Sequence, residues 1–408
     1  MAEFTPYGTD KELDKLVDSD NWRDRCSAAE QGYGLDRLIN DEHAAVRGTV
    51  AIQGYGLEKL IKDEEASVRV AVANKGYGLG RLVKDKNFRV REAVAEQNYG
   101  LDILINDNEW GVREAVARQG YGLDILINDA FSEVRGAVVR QGYGLDKLVN
   151  DESYFVRMAV AEQGYGFDKL INDENMEIRG YIAEQGYGLG KLIDDKEVYV
   201  RRIVARQGFG LDKLIDDKSV MVRYEVAKQG YKWEKLINDK DWEIREYIAK
   251  HGYGLDKLIN DKDRRVREAV ARQGYGLDIL VNDDAIGVRE AVAEQGYGLD
   301  ILVNDKYCPE VRCAVARQGY GLDKLVDDDN YNVRCEVARQ GYGLDKFLYE
   351  IDTWECDTYS DVYEKEELYN IIYNFLEKNN YPDVETYLKE NPDMRYYKDN
   401  KIRDEEER

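Results

Sequence analysis

Apolar residues fall in two short clusters that recur every 22 positions. In one copy Val112, Ala115 and Val116 stand at i, i+3 and i+4, which is one face of a helix. Leu123, Leu126 and Ile127 repeat that spacing a few residues later. Ala117 closes the first cluster, and its position is alanine in every copy except Val139. A small side chain there lets one helix approach the next closely. The pattern predicts a longer helix A, a tight turn and a short helix B in each unit, with neither helix able to bury its face alone.

The turn between the clusters reads Gly-Tyr-Gly. Its central position holds Tyr33, Tyr55, Tyr77, Tyr99, Tyr121, Tyr143, Tyr165, Tyr187, Phe209, Tyr231, Tyr253, Tyr275, Tyr297, Tyr320 and Tyr342. One step, between Tyr297 and Tyr320, is 23 residues long. The first glycine is replaced only by Asn98, and glycine and asparagine are the residues that tolerate a left-handed C′ cap. The second is replaced by Lys232 and reads as the less constrained of the two. An aspartate follows helix B, as at Asp41, Asp63 and Asp85, with Ser19 in the first unit. That exchange suits an N-cap of the following helix A.

The run Val-Arg-x-Ala-Val-Ala (Val112 to Ala117, Val266 to Ala271), then a turn, Leu-x-x-Leu and Asp, resembles the leucine-rich repeat variant family and, more distantly, the HEAT repeats. The resemblance implies an all-α fold, a right-handed superhelical α-solenoid of about fifteen 22-residue two-helix repeats. It covers residues 13–346, with Gly-Tyr-Gly where the variants usually have a proline-containing turn. The founding type of that family carries an iron–sulfur cluster on N-terminal cysteines. Cys26 is the only cysteine before Cys308, so the cluster is not carried over and no cofactor is expected.

Four segments follow: a lead-in at 1–12, the repeats at 13–346, a helical C-terminal cap at 347–394 and an acidic tail at 395–408. In the cap, Leu368, Ile371, Ile372, Phe375 and Leu376 mark an amphipathic helix, and Pro382 opens another that ends near Pro392. Terminal repeats of solenoids need such covers.

Charge narrows the partners. The chain carries 82 acidic and 59 basic residues, net −23, and residues 346–408 alone carry −9. Direct binding to nucleic acid or an anionic membrane is disfavoured by repulsion. No stretch approaches 18 apolar residues, the start shows no basic, apolar leader, and five cysteines are too few for a disulfide framework. A reducing, cytoplasmic setting is expected.

Catalytic chemistry finds little footing. His43 and His251 lie about nine units apart, and none of the seven serines sits in a Gly-x-Ser-x-Gly turn. Gly-x-Gly follows a helix, not the strand a dinucleotide site needs. Cys308-x4-Cys313 lacks histidine partners for zinc, and Cys313 and Cys335 stand in adjacent units too far apart for a disulfide. The arginine after each valine, from Arg25 to Arg334, usually has an aspartate six residues before it. These pairs are expected to form an Asp–Arg ladder between units. The glutamine before the turn, replaced only by Lys75 and His251, is expected to form a second ladder. The turn tyrosine reads as a filler between helices with its hydroxyl at the rim.

Variable positions carry the candidate function. Two residues before the valine stand Phe88, Trp110, Tyr154, Met176, Val198, Val220, Trp242, Ile286 and Tyr331. The middle of helix B is basic in eleven units but isoleucine at Ile103, Ile125, Ile279 and Ile301. The first set either packs against the neighbouring unit or forms an aromatic stripe for a protein partner, and the paired isoleucines form two small apolar patches. The expected function is a non-catalytic protein-interaction scaffold. The alternatives are an acidic nucleic-acid mimic that inhibits a nucleic-acid-binding protein in defence or counter-defence, and an enzyme using carboxylate chemistry.

Overall fold

The computed structural model describes residues 10–353 and 359–396. Among the described residues every regular element is helical. The chain falls into two compact parts, one ending at Phe209 and the other starting at Gly210. Within each part the helices A of successive repeats pack side by side, and each helix B touches its own helix A and the next one. Each part is therefore an α-solenoid.

The repeat at 110–129 shows why the sequence folds this way. Helix A spans Trp110–Arg118 and buries Val112, Ala115, Val116 and Ala117. It ends in a Schellman motif: the Tyr121 N–H donates to Val116 O and the Gly120 N–H to Ala117 O. Gly120 has φ +76°, and Asn98 takes the same left-handed conformation at φ 56°. Helix B, Leu123–Leu126, is a single α turn that buries Leu126. Its Leu126 N–H donates to Gly122 O, and the chain leaves through a 3₁₀-type bond from Asp129 N–H to Leu126 O.

Two expectations are corrected here. The second glycine is the more constrained. A Cβ at Gly120 would meet only Gln141 Oε1 at 3.7 Å, whereas one at Gly122 would lie 2.1 Å from Ile105 Cδ1 of the preceding repeat. Lys232 occupies the equivalent place at φ 45° and directs its Nζ to Asp212. Nor is the aspartate after helix B the N-cap of helix A. The cap lies two residues later, at Asn87, Asn175, Asp241 or Asn330, where the side chain accepts the N–H two positions on. The aspartate instead accepts the cap residue's own N–H, as Asp85 does from Asn87. Ser19 keeps that job by accepting from the Asn21 N–H.

The longer repeat absorbs its extra residue between Asp305 and helix A Pro309–Arg317, where Cys308 is the cap and Pro309 the first helical residue.

At the C-terminal end the last helix B runs on as Leu344–Thr353, followed by helices Tyr359–Lys378 and Val384–Glu390 and a 3₁₀ turn at Pro392–Met394. Leu368, Ile372 and Leu376 are buried, with Ile371 and Phe375 half-buried beside them. The Phe375 ring fills the space beside Gly341, and the Gly343 N–H donates to Met394 O. The helix expected to open at Pro382 starts two residues later, at Val384, with Asp383 as its cap accepting from the Thr386 N–H. Residues 1–9 of the lead-in and 397–408 of the tail lie outside the described residues.

Candidate functional site

The arginines join repeats in the expected ladder, but each grips the aspartate sixteen residues ahead and not the one six behind. In the first part Arg113 Nε and Nη2 grip Asp129, sixteen residues ahead, at 2.5 and 2.9 Å. Its Nη1 donates to the backbone oxygen of Asp107, six residues behind. So the preceding aspartate supplies a carbonyl, and its carboxylate serves the arginine of the repeat before. Arg47 with Asp63 and Arg179 with Asp195 repeat the arrangement, as do Arg223 with Asp239 and Arg245 with Asp261 in the second part. Burial alone would raise the pKa of Asp129, but the Arg113 bonds and the Phe131 N–H outweigh it and hold the carboxyl below its ordinary value.

Three weaker ladders run beside this one. Gln53, Gln141 and Gln273 donate to backbone oxygens of Glu30, Arg118 and Lys250 in the preceding repeats. Lys59, Lys147 and Lys235 in helix B reach Asn40, Asn128 and Asp216, each nineteen residues back. Most of the turn tyrosines are exposed, about 42 % at Tyr121, and are not core fillers, while Tyr33, Tyr231 and Tyr342 are half-buried. Tyr33, Tyr99 and Tyr187 lean on the helix B behind them. The Tyr33 hydroxyl donates to Asp14, and the Tyr99 hydroxyl would sit 3.1 Å from a Cβ at Gly80. Phe209, without a hydroxyl, faces Gly190, without a carboxylate.

What the ladders leave over is the outer first turn of helix A. Phe88, Trp110, Met176 and Ile286 begin their helices and are exposed, while Tyr154 and Trp242 are half-buried. The neighbouring columns add residues that the single column missed: Phe131 at a cap, Phe155 and Tyr199 at second positions, and Met221. In the first part six successive repeats therefore carry a large exposed apolar side chain at this edge: Phe88, Trp110, Phe131, Phe155, Met176 and Tyr199. Trp110 and Phe131 stack at 6.2 Å between centroids, and the Tyr154 and Phe155 rings lie 4.1 Å apart. Tyr199 lies against Gly180, where a Cβ would come within 2.5 Å of its ring. Beside Phe88 a furrow of about 570 Å³ runs between helices Ala66–Asn74 and Phe88–Glu96. Trp22, in the same column, stacks on His43 at 4.3 Å.

In the second part the row is interrupted. The Arg265 guanidinium covers the Trp242 ring at 3.3 Å. Tyr331 is covered by the chain itself, its hydroxyl donating to Glu364 O. The helix-B isoleucines lie elsewhere on the repeat and are exposed: Ile103 and Ile125 in the first part, Ile279 and Ile301 in the second.

Groups suited to catalysis or metal binding are dispersed. Among the described residues no three His, Cys, Asp or Glu side chains are placed to hold a metal ion. His43 Nδ1 accepts from the Ala45 N–H, and His251 Nδ1 lies 2.7 Å from Tyr247 O. Cys26, Cys308, Cys313 and Cys335 are free thiols, and burial pushes the Cys313 thiol up to about 11. Among the described residues no helix is long and apolar enough to cross a membrane.

No family model matches the chain. No curated protein matches it either. Among solved structures it is similar to a chain of the Kap95p complex with RanGDP, at 12 % identity and TM-score 0.34, covering 90 % of this chain and 66 % of that one. A chain of the Kap95:Nup1 complex gives 13 %, 0.35 and the same coverages. A chain of the TOG-domain arrays of microtubule polymerases gives 11 % and 0.20, covering 88 % of this chain and 99 % of that one. The chain thus spans about two thirds of the length of each of the first two. These likenesses carry no partner or activity across.

Proposed function

We propose that the chain is a non-catalytic scaffold that holds a protein segment against the outer edge of helices A in its first part. On the residues quoted above we read the repeat as resembling the leucine-rich repeat variants. The observation that carries the proposal is the run of exposed apolar side chains in six successive repeats, from Phe88 to Tyr199. These side chains pack partly on one another, as Trp110 does on Phe131, yet each leaves more than a third of its surface to solvent, which stacking alone does not require. Carboxylates flank the row, among them Glu92, Glu96, Glu109, Glu133, Glu177 and Glu197, and the chain as a whole carries −23. The partner that fits is an apolar segment edged with lysine or arginine. The nucleic-acid mimic has less behind it, because the regularly spaced aspartates are buried halves of ion pairs with arginine.

The test is selection from a displayed peptide library on the full chain. Segments that alternate apolar and basic residues should be enriched. Enrichment should disappear for a variant with Trp110→Ser, Phe131→Ser and Phe155→Ser that melts like the parent. Enrichment of acidic segments, or equal enrichment on the variant, would overturn the proposal.

A further inference from the structure

Arg334 is the arginine of the last complete repeat, and its ladder rung is open. Its Nη1 donates to the backbone oxygens of Asp328 and Asp329 as in its sisters, so the side chain is held in the same pose. Yet its Nε is buried and has no hydrogen-bond partner. In the repeat before, the equivalent Nε and Nη2 of Arg312 hold Asp328 at 2.6 and 2.7 Å. The residue sixteen ahead of Arg334 is Glu350. In sister repeats that position lies beyond a single-turn helix B, but here the helix runs on to Thr353 and carries Glu350 with it. Glu350 is bound instead to Lys346 at 2.9 Å. A furrow of about 440 Å³ remains, lined by Arg334, Lys346, Glu350 and Asp329. The equivalent furrow beside Arg223 has its rung closed by Asp239.

We propose that this furrow is a binding site for a carboxylate supplied from outside the chain, which completes the rung on Arg334. The sister repeats show what the pose accepts: two parallel N–H bonds to one carboxylate, a geometry particular to arginine. The surrounding charges limit the ligand further. Arg312, Arg334 and Lys346 face Asp327, Asp328, Asp329 and Glu350, so carboxylates already outnumber cations. A polyanion would be repelled. A single carboxylate suits the fork, and an ammonium beside it would suit the carboxylates of the wall. The chemical class is therefore a free amino acid or the C-terminal end of a peptide.

The experiment titrates the full chain at constant ionic strength with glycine and, separately, with N-acetyl-triglycine. Arginine Nε–H resonances and heat are followed. One Nε resonance, absent in Arg334→Lys, should move and saturate, and the tighter probe names the source. Arg334→Lys keeps the charge and loses the fork, and it should weaken binding at least tenfold. The proposal is overturned if neither probe saturates, if the Lys variant binds equally, or if sulfate moves the same resonance as strongly. The wild-type titration decides the matter even if the variant fails to fold.

Discussion

Replacing the two turn glycines of one repeat separates conformational strain from steric exclusion. Gly120→Ala meets only the left-handed backbone, since its nearest neighbour apart from the adjoining residues is Gln141 Oε1 at 3.7 Å. The expected cost is about 1–2 kcal/mol. Gly122→Ala carries the same backbone cost at φ +60°, and its methyl falls 2.1 Å from Ile105 Cδ1. Ordinary contact begins near 3.4 Å, so the buried isoleucine must move by more than an ångström. Overpacking of this kind adds about 1–3 kcal/mol. Gly122→Ala should therefore cost about 2–5 kcal/mol in total. Urea denaturation gives the global value, and hydrogen exchange at the amides of Tyr121 and Leu126 gives the local one. Ile105→Ala should relieve the second cost, so the double variant should be more stable than the sum of the singles by about 1 kcal/mol or more. Equal costs for the two glycines, or strict additivity with Ile105→Ala, would refute the reasoning.

Two further outcomes follow from the arginine ladder. Asp129→Ala leaves the mostly buried Arg113 without its carboxylate and should cost about 3 kcal/mol, while Arg113→Met with Asp129→Leu should cost less than the single change; chemical denaturation of both variants checks this. The carboxyls of Asp63, Asp85, Asp107 and Asp129 are held low, burial being outweighed by the arginine and backbone N–H bonds. A lowered folded-state pKa contributes stability that is fully present above the unfolded value, near pH 4, and is lost as pH falls through the folded one. Melting temperature should thus be level above about pH 5 and drop steeply below about pH 4, and a flat profile down to pH 2 would contradict the ladder's role.

Much of the repeat was legible because identity and spacing alone carried it. Val112, Ala115 and Val116 could face one way only on a helix, and Asn98 among glycines disclosed the left-handed cap. Glutamine needed a partner for its amide, and the preceding repeat supplied one. The illegible parts all depend on which neighbour a column of residues meets. Two aspartates flank nearly every arginine in sequence, Arg25 and Arg334 excepted, and helix geometry, absent from the letters, gives the near one's carbonyl and the far one's carboxylate to the guanidinium. The second glycine looked permissive because Lys232 replaces it, although Ile105 presses on its equivalent. The apolar edge was found in part. Phe131, Phe155 and Tyr199 escaped because three adjacent columns share one exposed turn, and only one column was followed.

The 23-residue repeat has a consequence for how such a chain can grow. Arg312 reaches Asp305 O seven residues behind it, where its sisters reach six, and still grips Asp328 sixteen ahead. The loop enters only the rung before it, where Arg289 keeps Asp305 through Nε and turns its Nη2 to Cys308 Sγ, and the rung after it closes as in the sister repeats. Length can therefore be added between that aspartate and the next helix A without shifting any later repeat out of phase. This makes the segment around Lys306 and Tyr307 a natural splice point, at which a foreign loop could be carried on an otherwise unaltered scaffold.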